Sequence, residues 1–135
     1  MKCPHKAHVA LVDGNRFVVL RNTGQIFEPK LQMVAEPELE ATNFSAGVRH
    51  QDKAGQMRGE TDLNELAHGA AAAEWLNAKA IAGEIDDLII IADPKTLGEM
   101  RRHYHKELQQ RLVGELDKAI ANEPIPAIEK ALANA

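Results

Sequence analysis

The chain has 135 residues, 44% hydrophobic and 27% charged, a globular composition in a length that reads as a single domain spanning residues 1–135. With 16 basic against 20 acidic residues, the net charge of -4 excludes general attraction to phosphate backbones, so any nucleic-acid contact has to come from a local patch. The lone cysteine, Cys3, excludes an intramolecular disulfide, "MKCPHKAHVALVDG" is too broken by Pro4, His5, Lys6 and His8 for a signal peptide, and the apolar runs are too short to span a membrane, so a soluble, cytoplasmic protein is expected.

"AHVALVDGNRFVVLRN" reads as two strands, Ala7 to Val12 and Phe17 to Arg21, joined through Asp13-Gly14-Asn15 as a hairpin. In "LQMVAEPEL" the alternation of Leu31, Met33 and Ala35 predicts a third strand, ended by Pro37. Residues 40–61 have no sustained periodicity and contain Gly47, Gly55 and Gly59, so they read as a long loop. Asp62 then has the character of a helix cap, with Glu65 as its capping-box partner. Leu63, Leu66, Ala70, Ala73, Leu76 and Ala80 follow at helical spacing, so a helix is predicted from about Asp62 to Ala82, stopped by Gly83. Its small residues, Gly69 to Ala73, give it a thin face suited to lying close against a sheet.

"LIIIA", Leu88 to Ala92, is apolar on both faces, the pattern of a central strand covered on each side. A helix leading directly into such a strand implies a crossover and a mixed sheet. Asp93-Pro94 then provides a cap and a first-turn proline for a helix through Leu97, Met100 and Tyr104. Beyond it, Leu108, Leu112, Leu116 and Ile120 would continue the helix, whereas Leu108, Gln110, Leu112, Gly114 and Leu116 would alternate as a strand, and periodicity leaves both open. Pro124 and Pro126 precede a short terminal helix over Ile128 and Leu132.

The chemistry-bearing residues are sparse. Arg49, His50, Lys53 and Arg58 outweigh Asp52, a local positive excess that fits either an arm reaching RNA phosphates or an ordinary solvated loop, and no aromatic interleaves with it. Arg101, Arg102, His103, His105 and Lys106 form a second basic cluster, readable as part of a surface beyond a strand terminus or as charges that complement a helix dipole. His103 and His105 are two residues apart, not on one helix face, and no carboxylate or cysteine completes a ligand set, so no metal site is expected. Ser45 has no nucleophile-elbow context, Cys3 has no evident activating partner, and phosphate loops and dinucleotide fingerprints are absent, so no cofactor is expected either.

Three stretches, "HVALVDGNRFVVLRN", "DDLIIIADPKTLGEMRRHYHKEL" and "ELDKAIANEPIPAIEKAL", resemble the bacterial family of proteins required for attachment to host cells, over nearly the whole chain. The middle stretch, Asp93 to Glu99 followed by Arg101, Arg102 and Lys106, is the specific one. That family is similar to the middle domain of archaeal and eukaryotic peptide-chain release factors. The resemblance implies an α/β domain with a mixed sheet of about five strands flanked by helices, a helix ending near Tyr104 or His105, and a strand through roughly Gln110 to Leu116. In release factors a Gly-Gly-Gln tripeptide in a loop before the long helix acts at the peptidyl-transferase centre, and Ala54-Gly55-Gln56 occupies the corresponding place. Ala54 removes half of the backbone freedom that two glycines supply, which sets Gln56 apart from a hydrolytic residue of the family type.

The residues and the resemblance together imply a non-catalytic ribosome- or tRNA-associated accessory factor, with Arg49, Lys53, Gly55, Gln56, Arg58, Arg101 and Arg102 as its candidate RNA-binding residues. The alternatives are a peptidyl-tRNA or ester hydrolase with Gln56 as its catalytic group, or a protein-interaction module acting indirectly on attachment.

Overall fold

The computed structural model describes residues 1–39 and 56–135, with the side chains of residues 56–63 outside the described set. Five strands form one mixed sheet: β1 (His8–Val12), β2 (Phe17–Asn22), β3 (Leu31–Ala35), β4 (Leu88–Ala92) and β5 (Leu112–Asp117), in the order β3-β2-β1-β4-β5. The helices are α1 (Gln56–Ile81), α2 (Pro94–Arg101), α3 (Lys106–Arg111) and α4 (Ile125–Asn134). The α/β class and the mixed five-stranded sheet are as the sequence implies.

The order follows from which strands can be buried on both faces. β4 is buried at all five positions and β1 at four of five, so they pair in parallel at the centre, with Val9 opposite Ile89 and Leu11 opposite Ile91. The hairpin partners β2 and β3 run antiparallel on one side, and β5 runs parallel to β4 on the other. Alternation divides the core into two layers. Ala10, Val12, Ile90 and Ala92 face α1, α2 and α3, whereas Val9, Leu11, Ile89 and Ile91 face Ile128 and Leu132 of α4 together with Cys3 of the N-terminal segment.

Helix α1 lies close to the sheet because the residues beneath it are small: Ala72, Ala73 and Ala80 are fully buried beside Leu76. Gly69 serves a close approach to α2, since a Cβ there would meet Thr96 Cγ2 at 3.2 Å. Trp75 packs edge-on against Phe17, with ring centroids 5.3 Å apart, and Lys79 Nζ lies 5.2 Å from the Trp75 ring. Gly83, at φ +76, ends the helix as expected, with the Glu84 N–H returning to Lys79 O at 2.9 Å.

Two boundaries differ from expectation. Helix α1 begins at Gln56, six residues before the proposed Asp62 cap, so residues 56–61 of the expected loop are helical and residues 40–55 lie outside the described set. Apart from Gly59, the residues from Gln56 to Glu60 are good helix formers, and a helix nucleated by its packed centre extends through such a stretch. Glu65, read as a capping-box partner, instead covers Gly14, where a Cβ would come within 2.4 Å of its Cγ, and its carboxylate lies 3.9 Å from Lys95. The second difference follows α2, which ends at Arg101 and is succeeded by the separate helix α3 before β5 starts at Leu112. His105 starts α3 by accepting the Glu107 N–H on Nδ1 at 3.0 Å, so Leu108 is buried from a helix and not from a strand.

The β2–β3 connection is organised by a fully buried asparagine. Asn22 Nδ2 donates to Cys3 O at 2.8 Å and lies 3.3 Å from both Pro4 O and Gln25 O, while Oδ1 accepts the N–H groups of Gly24 at 2.9 Å and Lys30 at 3.0 Å. One amide thereby holds the N-terminal segment, the turn and the start of β3. Removing it leaves several buried backbone groups unpaired, so Asn22→Ala is expected to lower unfolding free energy by about 2–4 kcal/mol in urea denaturation.

His8, at the start of β1, has a buried Nδ1 without a hydrogen-bond partner. Burial pushes its pKa below the ordinary value, Arg21 adds to this, and Asp86 opposes it. The neutral ring is favoured in the folded state, so stability falls as pH drops below the unfolded value of about 6.5. Between pH 7 and 5 the wild type is therefore expected to lose more stability than His8→Phe; equal losses in the two proteins would refute this assignment.

Candidate functional site

The parallel β1–β4 connection makes α1 run opposite to β1, so its N-terminus lies beyond the C-terminal ends of the central strands. His68 Nδ1 donates to Asp13 O at 2.7 Å, and Glu65, nearer the helix N-terminus, lies over Gly14 of the β1–β2 turn. Gln56 precedes Glu65 by nine residues. At 1.5 Å per residue, the helix continues about 14 Å beyond that point. Its first turn contains no acidic residue.

The structure thus puts Gln56 at the first position of a helix. Arg58 lies in the same turn, and Arg49, Lys53 and Gly55 fall outside the described residues.

At the foot of the overhang, the β1–β2 turn is shaped by Asp13, whose Oδ1 accepts the N–H groups of Asn15 at 2.7 Å and Arg16 at 2.6 Å. Its Oδ2 accepts from Asn122 at 3.2 Å. A groove of about 720 Å³ opens here between Asn15, Arg16, Glu36, Glu38 and His68. Because Nδ1–H of His68 is committed to a carbonyl, the neutral ring keeps Nε2 as an acceptor. Arg16 is held by Ala121 O at 3.2 Å and by Glu36 at 3.5 Å. Among the described residues, no serine or cysteine lines this groove.

The stretch from Asp93 to Thr96 behaves as a helix start. Asp93 Oδ2 accepts the Thr96 N–H at 3.2 Å and Pro94 occupies the first turn.

The second basic cluster sits elsewhere and is bound to acidic partners. Arg101 grips Glu115 of β5, with Nη2 at 3.0 Å and Nε at 3.2 Å from Oε1, and Tyr104 OH donates to the same carboxylate at 2.7 Å. Glu99 receives Arg102 at 3.4 Å and His103 at 3.1 Å. Asn77 fixes the segment to α1, donating to His103 O at 2.7 Å and accepting the His105 N–H at 2.9 Å. Asn77 follows Gln56 by 21 residues. On a straight helix that is about 31 Å, so the structure separates Arg101 and Arg102 from Gln56. Buried Asn22 and Asn77 escape a sequence reading because an asparagine in a strand or helix carries no periodic signal.

Residues 6–132 match the family model described as bacterial archaeo-eukaryotic release factor family 12. The chain belongs to that family. In this release factor family 12 member, the long helix α1 begins at Gln56, the last residue of Ala54-Gly55-Gln56. A comparison with curated proteins finds no match. Among the described residues, no helix of this release factor relative is long and apolar enough to cross a membrane, and no group of three or more His, Cys, Asp or Glu side chains could hold a metal ion.

Tyr104 is the chain's single tyrosine. Burial and its hydrogen bond to Glu115 push its pKa far above the ordinary value, in that order of importance. Glu115→Ala is expected to lower the pH at which tyrosine ionises in a spectrophotometric titration. Loss of the shared carboxylate should also cost about 1–2 kcal/mol of stability.

Proposed function

We propose that this protein is a translation-associated accessory factor that contacts ribosomal RNA or tRNA from the cytoplasm without catalysing ester hydrolysis. The supporting observation is the overhang of α1, a helix N-terminus with no acidic residue in its first turn, projecting well past the sheet in a member of a release factor family. A helix end of this kind attracts phosphate oxygens through its free N–H groups and its dipole. Arg58 adds a permanent charge in the first turn, and Arg49 and Lys53 precede it in sequence.

Ala54 supports the non-catalytic half of the reading. A backbone that has to adopt glycine-only dihedrals at two successive positions is denied one of them here. Arg101 and Arg102, each engaged by a carboxylate, serve as a secondary contact surface. Any influence on attachment to a host would then run through the synthesis of surface components.

Co-sedimentation with ribosomes at low salt, weakening as salt rises, is the expected result, and Arg58→Glu should reduce it several-fold. Absence of association at low salt overturns the proposal. Peptide release from peptidyl-tRNA that is lost in Gln56→Ala would overturn its non-catalytic part.

A further inference from the structure

At the opposite end of the sheet from the α1 overhang, the β2–β3 connection presents an apolar apex. Gln25 N–H returns to Glu28 O at 3.1 Å, closing a turn whose two central residues are Ile26, 40% exposed, and Phe27, 63% exposed. The turn that exposes Phe27 is held by hydrogen bonds on both flanks. Buried Asn22 fixes both flanks of the turn, and Thr23 and Lys30 pair across it at 2.8 Å. Gly24 is required by the closeness of the strands, since a Cβ would come within 2.7 Å of Glu28 O.

The N-terminal segment lies along the same turn and surrounds it with basic residues. Cys3 N–H donates to Ile26 O at 3.0 Å, placing Lys2 beside the apex. His5 Nδ1 donates to Gly24 O at 2.8 Å, and the Lys6 N–H bonds Asn22 O at 2.7 Å. Lys6 is the one described non-glycine residue at positive φ, at +74, a conformation that favours glycine or asparagine. A lysine held there keeps a charge where a smaller residue would relieve backbone strain. Lys30 comes from the other flank; Glu28 is the one acidic residue of the turn, and the Glu129 carboxylate beside Lys30 is engaged by the Leu31 N–H at 2.7 Å.

We propose that Phe27, with Lys2 next to the apex in the chain and Lys6 and Lys30 at the foot of the same turn, is a single-base stacking platform for RNA with an unpaired, accessible base, the lysines engaging the flanking phosphates. This rests on the RNA-contacting function above and adds a second contact surface at the far end of the molecule. The chemistry is that of single-strand recognition, a flat aromatic face for the base beside a cationic track for the backbone. Paired bases in an A-form duplex cannot reach such an apex, so the platform selects loops, bulges and ends. The turn is ordered in advance by Asn22, so little conformational freedom is lost on binding.

The test is fluorescence anisotropy with two labelled RNAs, a stem–loop with unpaired loop bases and the matching blunt duplex. Phe27→Ala should weaken stem–loop binding by ~10-fold and leave duplex binding unchanged, with Phe27→Trp retaining the wild-type affinity. Lys6→Gly, whose backbone is relieved and not strained, should reduce the slope of log affinity against log salt by ~0.7 on the stem–loop. Equal affinities of wild type and Phe27→Ala for the stem–loop, or equal weakening on both RNAs, overturn the inference. If Phe27→Ala abolishes ribosome co-sedimentation while its RNA affinities stay unchanged, the apex binds protein, and this inference fails while the accessory-factor reading stands. A wild type that binds the stem–loop through Phe27 yet does not sediment with ribosomes fails the other way.

Discussion

The parallel pairing of β1 with β4 is the constraint from which the rest of the architecture follows. A parallel pair cannot be closed by a tight turn, so the chain has to cross from the end of one strand to the start of the next over a face of the sheet. Helix α1 makes that crossing, and its direction is thereby decided before any of its side chains is considered. The strand pair is buried on both faces, which demands a second apolar layer beneath it, supplied by α4 and the N-terminal segment. A helix longer than the strands it spans then has to overhang one edge, and the overhang falls at its N-terminus because its C-terminus is stopped by Gly83 just before β4.

Around this frame, two buried amides join segments that the backbone ladder leaves unpaired. Asn22 binds the N-terminal segment to the β2–β3 turn, and Asn77 binds α1 to the segment between α2 and α3. Each has both ends of its side chain engaged, which is the condition under which a polar group is tolerated in a core. Their consequence is positional. One makes the Phe27 apex rigid, and the other holds Tyr104 and Arg101 against Glu115.

The distribution of charge separates surfaces that look alike in composition. Arg101, Arg102 and His103 are each within reach of a carboxylate, so the charge of that cluster is partly offset within the α2–α3 region. Lys2 and Lys6 of the N-terminal segment and Lys30 of the β2–β3 connection come together along one turn that ends in an apolar apex. The family match places the protein among release factor relatives, and the two ends of the molecule, the α1 N-terminus and the hairpin apex, are where the proposed RNA contacts lie.

Much of the fold was legible from local pattern. "LIIIA" announced a central strand, Asp93-Pro94 a helix start and Gly83 a helix stop, because burial on two faces, capping and left-handed backbone each leave a signature within a few residues. The start of α1 was misplaced by six residues, since a capping-box pattern at Asp62 and Glu65 is also what a helix interior can contain when Glu65 has a partner elsewhere. The break after Arg101 was invisible because Asn77 and His105, which create it, are far apart in sequence. By itself the sequence determined strands β1 to β4, the centre of α1, the start of α2, the terminal helix and the release factor kinship, all properties of contiguous residues, while it left the segment after Leu108 open between helix and strand. Only the tertiary structure decided that Arg101 pairs with Glu115, that Gln56 stands far from Arg102, and that the N-terminal segment lies along the turn that exposes Phe27, because each of these depends on distances between residues that only the folded chain brings together or keeps apart.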